Sequence, residues 1–252
     1  MLWHKAWLDT RWRFAIGLVI LLLSGCAAVL GYPDALKALA QMSPANGEIG
    51  RQIAETAALI RDYRSYIWSQ WFRQNMRELW ALFAVLLGAG GLLAQVSRGG
   101  ALFTLALPVS RGRLLGVRAA VALAELLVLA LVPSLLIPLL SPAIGQSYRL
   151  ADAIVHGACM FIAGSVLFSF TFLLSTVFRD VWRPPLITLC LAVVLRLLAQ
   201  IFGLERVSLL AVVTAESYFR GGGVPWLGLF VSAAGSAGLL YAATRNIARQ
   251  DF

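Results

Sequence analysis

Long apolar stretches alternate with shorter polar segments along the whole chain. Six of these stretches contain 18 to 25 residues each, and they occupy residues 14–31, 79–96, 116–140, 153–177, 184–203 and 225–243. At 1.5 Å per helical residue, each is long enough to cross the hydrocarbon core of a bilayer, which is about 30 Å thick. The pattern therefore predicts an all-α integral membrane protein with six transmembrane helices, in which residues 1–252 form one domain.

The first 13 residues differ from the apolar stretch that follows them. Trp3 and Trp7 are four residues apart, so they share one face of a helix, and charged residues are interspersed with them. Such a segment is typical of an N-terminal interfacial helix that lies at the headgroup boundary before the first span. A belt of aromatic residues directly before the span is an equally good interpretation.

A segment of 47 residues, 32–78, separates the first two predicted spans and is longer than a simple connection requires. Pro33 favours the start of a short helix. From Glu48 onward apolar residues recur every three or four positions, which predicts an amphipathic helix. Its apolar positions include Ile49, Ile53, Ala57 and Ile60, and an aromatic cluster of Tyr63, Tyr66, Trp68, Trp71 and Phe72 follows. Anchoring on the membrane surface and a lid over an external exit are both consistent with this pattern.

Several later positions predict the ends and bends of helices. Pro133 and Pro138 lie inside the third span and predict a helix that is kinked or ends early, because proline removes an intrahelical hydrogen bond. Pro184 suits the first turn of the fifth span. Residues 204–220 are too short and too charged to cross the membrane, so they predict an external hairpin or a re-entrant segment.

Basic residues are distributed unevenly about the predicted spans. If the N-terminus is inside, the inner segments 1–13, 97–118, 178–183 and 244–252 contain 11 basic and three acidic residues. The outer segments 32–78, 141–152 and 204–224 contain nine basic and eight acidic residues. Because cytoplasmic loops carry an excess of Lys and Arg, both termini are predicted to lie in the cytoplasm. This topology accounts for the net charge of +9 without a nucleic-acid partner.

The predicted inner segment between the second and third spans carries a recognisable string. Residues 97–113 begin with Ser97-Arg98-Gly99-Gly100, and residues 107–115 read LPVSRGRLL. This string resembles the signature loop of ABC-2 type permeases, which are the membrane subunits of ATP-binding-cassette exporters. Six spans with both termini inside are also the topology of that family.

The resemblance implies a permease subunit that moves a substrate, outward in this family, with ATP hydrolysed by a separate subunit. It implies two cytoplasmic ABC ATPase subunits, which hold the ATP and Mg, and a second permease chain that is either identical or different. It also implies a multi-pass protein of the bacterial cytoplasmic (inner) membrane, in contact with membrane lipid. The stretch after span two would be a coupling helix that docks on the ATPase through Arg98, Leu102, Phe103, Leu105, Leu107, Pro108, Arg111 and Arg113.

The chain itself lacks the residue patterns of a nucleotide site or a catalytic centre. Its lysines, Lys5 and Lys37, do not follow a glycine, so the sequence contains no P-loop. Two histidines are too few for most Ser-His-Asp or multi-histidine metal sites. Cys26, Cys159 and Cys190 lie in apolar stretches without metal-ligand spacing. We therefore expect no enzymatic activity, no cofactor and no metal in this chain.

Three polar residues lie within the predicted spans: Glu125, His156 and Arg196. Glu125 and Arg196 are both predicted roughly 17–18 Å from the inner surface, because each lies about 11 or 12 residues into its helix. A charge in hydrocarbon is costly, so equal depth favours a Glu125–Arg196 pair, within one chain or across a dimer. The pair could fix packing or lie on a substrate path. His156 is expected near the outer interface, where water or a carbonyl would satisfy it.

The tetrapeptide Leu23-Ser24-Gly25-Cys26 reads as a lipobox after a basic start and an apolar stretch. The apolar run continues past Cys26 to Leu30 and completes a span. Because small residues are common in membrane helices, we interpret the string as a chance match.

Two other classes of function remain open from the sequence. An ion-coupled secondary transporter would use Glu125, His156 and Arg196 as a relay and would transport without ATP. A non-transporting membrane scaffold or immunity protein would co-purify with no ATPase.

Overall fold

The computed structural model describes residues 2–41, 57–90, 110–203 and 209–249, and these residues form helices and no strand. The all-α prediction is therefore confirmed for the described part of the chain. We label the α-helices α1 (Leu2–Leu30), α2 (Tyr32–Gln41), α3 (Tyr63–Tyr66), α4 (Arg77–Gly88), α5 (Arg111–Leu140), α6 (Leu150–Leu174), α7 (Arg183–Ile201), α8 (Leu209–Val213), α9 (Glu216–Phe219) and α10 (Trp226–Ala248). A π-helix, Ile67–Met76, joins α3 to α4, and a 3-10 turn, Ser141–Ile144, follows α5.

Five helical stretches among the described residues are long and apolar enough to cross a membrane. These apolar helices indicate a multi-pass membrane protein. They correspond to the first, third, fourth, fifth and sixth predicted spans. For the second predicted span, 79–96, the structure shows helix only to Gly88, and residues 91–96 lie outside the described part. The five stretches are Leu2–Leu30, Gly112–Ile144, Leu150–Leu174, Arg183–Ile201 and Trp226–Ala248.

The N-terminal segment does not form a separate interfacial helix. It is the first part of α1, an uninterrupted helix of 29 residues that is about 43 Å long. No glycine or proline interrupts residues 10–14, so the helix has no reason to break there. Trp3, Trp7 and Trp12 are exposed on its surface, which agrees with the aromatic-belt interpretation.

The two prolines of α5 do not end the helix early. The helix runs through Pro133 and Pro138 and ends at Leu140, the end that the hydropathy pattern predicts. Serine hydroxyls donate to backbone carbonyls close to both prolines, Ser134 to Ala130 at 2.6 Å and Ser141 to Ile137 at 2.7 Å. Such local hydrogen bonds help transmembrane helices to tolerate proline.

Residues 63–88 form a continuous helical rod from α3, the π-helix and α4, and this 63–88 rod is antiparallel to α1. At one end, the Tyr63 ring lies 4.9 Å from the Tyr32 ring, just after α1. At the other, the Arg13 guanidinium donates to the Leu86 and Ala89 carbonyls at 2.8 and 3.1 Å. The rod therefore follows α1 for about 28 Å.

The aromatic cluster of the rod is part of the protein core. Ile67, Trp71, Phe72 and Met76 are fully buried, and Trp68 is 2% exposed. The expectation that these rings anchor the segment on the membrane surface is therefore wrong, because neighbouring helices cover them. Of the predicted amphipathic helix, residues 48–56 lie outside the described part, and residues 57–61 are helical.

One tryptophan of the rod, Trp80, contacts both α5 and α6. The Trp80 indole donates to the Leu126 carbonyl of α5 at 3.2 Å, and its ring lies against Gly164 of α6. A side chain at position 164 would overlap this ring, so only glycine permits the observed distance between α4 and α6.

The last two long helices lie at the margin of the bundle. Most apolar side chains of α7 and many of those of α10 are exposed. Pro184 lies in the first turn of α7, as its position in the sequence predicts. Between α7 and α10, the described residues form the short helices α8 and α9.

Candidate functional site

Most of the predicted ATPase-docking segment lies outside the described residues, namely Arg98, Leu102, Phe103, Leu105, Leu107 and Pro108. Its last basic residues, Arg111 and Arg113, belong to the first turn of α5 and not to a separate docking helix. Ser110 caps α5 by accepting a hydrogen bond from the Arg113 amide at 3.4 Å. Arg113 is exposed.

The described residues show how the bundle holds the end of α4, the last described element before the predicted docking segment. The end of α4 binds Arg13 and also approaches Arg118 of α5. If residue 90 had a side chain, its Cβ atom would lie 3.3 Å from the Arg118 guanidinium and 3.5 Å from the Arg13 guanidinium. Gly90 has a φ of 88°, a backbone conformation that favours glycine. Two cations therefore lie at the C-terminus of α4, where they complement the helix dipole.

Glu125 is buried in α5, and its partner is a residue of α1. Glu125 Oε1 accepts a hydrogen bond from the Thr10 hydroxyl at 2.7 Å, and the residue is 5% exposed. Glu125 Oε2 has no hydrogen-bond partner in the part of the chain that the structure describes.

Arg196 contacts a different carboxylate, so the predicted Glu125–Arg196 pair is not formed within one chain. Arg196 Nη1 lies 3.3 Å from Glu78 Oε1 of the rod, and Arg77 Nη2 lies 3.1 Å from the same oxygen. The depth argument was insufficient because depth does not specify which helices are neighbours. Glu125 faces α1, whereas α7 brings Arg196 to the start of α4.

His156 is buried and does not lie at an aqueous interface, contrary to the prediction. Its ring is stacked on Phe72 with 4.5 Å between the centroids, and the residue is 1% exposed. Within the described residues, neither ring nitrogen has a hydrogen-bond partner. The expected interfacial position is therefore wrong, whereas the Thr214 backbone lies close enough to act on the imidazole.

Sequence reasoning missed a polar cluster around Asp152 at the start of α6. The buried Asp152 carboxylate lies 2.7 Å from Arg64 Nε and accepts a hydrogen bond from the Tyr218 hydroxyl at 2.9 Å. The bond to Asp152 and burial raise the pKa of Tyr218. Burial and the Asp152 charge also raise the pKa of Tyr148. The cluster joins α3, α6 and α9, which are far apart in the sequence, so no local pattern indicates it.

A polar cavity of about 470 Å³ lies between the 63–88 rod, α7, α8 and the start of α9. We call it the arginine cavity. Its apolar wall includes Leu59, Ile60 and Leu210, and its acidic residues are Glu78 and Glu216. The cationic and amide side chains that line it are Arg73, Arg77, Arg196, Gln70, Gln74 and Gln200.

The polar wall of the cavity comes mainly from one stripe of the rod. Gln70, Arg73, Gln74 and Arg77 follow the spacing i, i+3, i+4 and i+7 in the sequence, and in the structure all four line the cavity. The other side of the rod carries the buried aromatic rings. This spacing is visible in the sequence, but residues 32–78 are predicted from the sequence to be an external helical segment, where polar residues need no buried partner. A long π-helical stretch is rare and frequently occurs at functional sites.

Positive charge exceeds negative charge around the cavity. Glu78 is shared by Arg77 and Arg196, and Glu216 is already paired with Arg220 at 2.6 Å. Arg73 forms no ion pair with another described residue. Its guanidinium lies 5.4 Å from the centre of the Trp68 ring. The arrangement therefore suits an anion.

The described residues do not bring together a group of three or more His, Cys, Asp or Glu side chains that could hold a metal ion. The described residues that line the arginine cavity supply guanidinium, carboxylate, amide and hydroxyl groups.

Comparison with known proteins finds no matching family model, no matching curated protein and no matching solved structure.

Proposed function

We propose that the chain is the permease subunit of an ABC-2 type transporter, which moves its substrate outward with ATP hydrolysed by a separate subunit. The observation that carries this proposal is the position of the string at residues 107–115. Its residues 111–115 begin α5, and the preceding part of the string belongs to the sequence between α4 and α5. Arg13 and Arg118 lie at the end of α4, just before that sequence begins. A segment placed between two core helices can transmit a movement of a bound ATPase to the bundle.

The 63–88 rod supplies the sixth crossing in this proposal, in place of the predicted span 79–96. The rod runs antiparallel to α1 for about 28 Å, which is close to the thickness of the hydrocarbon core. Its polar stripe faces the arginine cavity and its aromatic side faces protein, so it crosses without presenting a uniformly apolar surface. Six crossings place both termini on one side, in agreement with the uneven distribution of basic residues.

The proposal predicts that an ABC ATPase co-purifies with the chain from its native membrane in mild detergent. Replacing Phe103→Ala together with Arg111→Ala should release the ATPase, because the pair removes an apolar anchor and a charged contact. The chain should remain folded in the membrane. A matched control is Trp182→Ala with Arg179→Ala, which removes an aromatic ring and an arginine from another predicted inner segment.

The possible results separate the candidate functions. Retention of the ATPase by the Phe103/Arg111 variant would contradict the docking assignment. Absence of an ATPase from the wild-type preparation would contradict the permease proposal and favour a scaffold. Transport by the chain alone in proteoliposomes, without ATP, would favour a secondary transporter.

A further inference from the structure

We propose that the arginine cavity binds the phosphate group of an anionic amphiphile. The volume of about 470 Å³ falls in the range of small-molecule sites. Among the described residues, three arginines and two glutamates line the cavity. One of these glutamates, Glu216, is already paired with Arg220, which does not line the cavity. An added anion would therefore balance a local excess of positive charge.

The side chains match the geometry of a phosphate. Arg73 and Arg77 are four residues apart on one face of the rod, and Arg196 approaches from α7 on the other side of the cavity. Arginine donates paired N–H groups to phosphate oxygens, and the glutamine amides around the arginines add neutral donors. Glu78 holds Arg77 and Arg196 together, so a phosphate would meet two arginines that are already positioned side by side.

The surroundings indicate that the phosphate is attached to an apolar chain. Arg196 lies five residues before Ile201, the end of α7, which is about 7.5 Å along the helix. From this depth a long arginine side chain can extend toward the headgroup layer and its phosphates. The neighbouring residues of α7, Val194, Leu195 and Leu197, are exposed and apolar. Leu59, Ile60 and Leu210 add an apolar wall to the cavity itself.

The test is a binding measurement on the purified full chain in a nonionic maltoside, and it needs no ATPase. Calorimetric titration with dihexanoyl phosphatidylglycerol should show saturable binding that weakens as salt is added, because salt screens the charges. Titration with glycerol 3-phosphate distinguishes the source of the phosphate. We expect it to bind more weakly, because it lacks the acyl chains that would contact the apolar wall.

The variants separate the site from general electrostatic attraction. Arg73→Gln with Arg196→Gln should weaken binding about tenfold or more, because it removes two charged donors and leaves Arg77 to pair with Glu78. Arg149→Gln with Arg179→Gln is the matched control, since it removes the same charge from exposed positions outside the cavity. Glu78→Gln should strengthen binding a few-fold, because it removes a competing carboxylate.

Two results would overturn the proposal. One is an absence of saturable binding for both phosphate compounds. The other is equal affinity in the Arg73/Arg196 variant and its matched control, which would show that binding depends only on net charge. Tighter binding of glycerol 3-phosphate than of the lipid would overturn the amphiphile as the ligand.

Discussion

Buried polar side chains in this bundle find partners on helices that are distant in the sequence. Thr10 meets Glu125, and Arg64 meets Asp152. A buried charge without a partner is expensive, so each contact constrains which helices can be neighbours. The partners also restrict where a chemical function can reside, because Glu125 and Arg196 belong to separate sites.

We predict that the Thr10–Glu125 hydrogen bond contributes to stability. Thr10→Val keeps the shape of the side chain but leaves Glu125 without a donor, and we expect a loss of about 1.5–3 kcal/mol. In the presence of Glu125→Gln the same change should cost less, since no charge is then left unpartnered. The measurement is a double-mutant cycle of unfolding free energies in mixed micelles.

Thr244→Val is the matched control for this cycle. Its hydroxyl donates to a backbone carbonyl of its own helix, and the residue is only half-buried and lies far along the chain in α10. We expect almost no change in stability from this substitution. Strictly additive losses for Thr10→Val and Glu125→Gln would show that the two residues are not coupled.

Helices of this protein are predictable where hydropathy alone determines them. The fourth predicted span, 153–177, corresponds to α6, and the fifth, 184–203, corresponds to α7 within a few residues. The 63–88 rod was missed for a physical reason. Residues 63–78, the part outside the predicted span, carry several aromatic rings that face protein. Arg73, Arg77 and the glutamines face a cavity, so this part does not form an apolar run although its core side is buried.

The candidate site was predictable only in part, for the same reason. Sequence analysis identified Arg196 as a polar residue that needs a partner. It did not find Arg73 or Arg77, because both lie in a segment that was predicted to be external. Charged residues are common in such segments and give no reason to expect a site. Their spacing on one helical face was the available signal, and only the neighbouring α7 and α8 show that this face lines a cavity.

At the level of elements we predict that the contact between α4 and α6 depends on Gly164. Gly164→Ala would add a methyl group that overlaps the Trp80 ring, so the helices must separate or the ring must move. We expect a loss of about 1–3 kcal/mol in the free energy of unfolding. Trp80→Phe should make the alanine less harmful, because the smaller ring leaves room for the methyl group.

Gly238→Ala provides the comparison, because a Cβ at that position of α10 meets no atom within 4 Å. Its stability should be unchanged or slightly higher, since alanine favours helix. Equal effects of the two substitutions on unfolding would contradict the packing explanation and would leave only helix propensity.

The described part of the molecule combines five clearly apolar helices with one rod of mixed polarity. The exposed apolar surfaces of α7 and α10 are suited to lipid or to another membrane-spanning chain. Whether the rod crosses the membrane decides the number of crossings, and hence whether the docking segment lies on the same side as the N-terminus. This question is independent of the identity of the substrate.

The last prediction is the sidedness of the loops, measured with single cysteines in a cysteine-free chain. The native residues Cys26, Cys159 and Cys190 are first replaced by alanine. Lys37→Cys and Ser147→Cys should then react with an impermeant maleimide in intact cells. Arg113→Cys and Arg179→Cys should react only after permeabilisation. All four positions are exposed in the structure, so a lack of reaction reports sidedness and not burial.

If Lys37→Cys and Arg113→Cys reacted from the same side, the 63–88 rod would not cross, and five crossings would place the termini on opposite sides. The predicted pattern would instead place the segment 91–109 in the cytoplasm with the N-terminus, where a soluble ATPase can reach it.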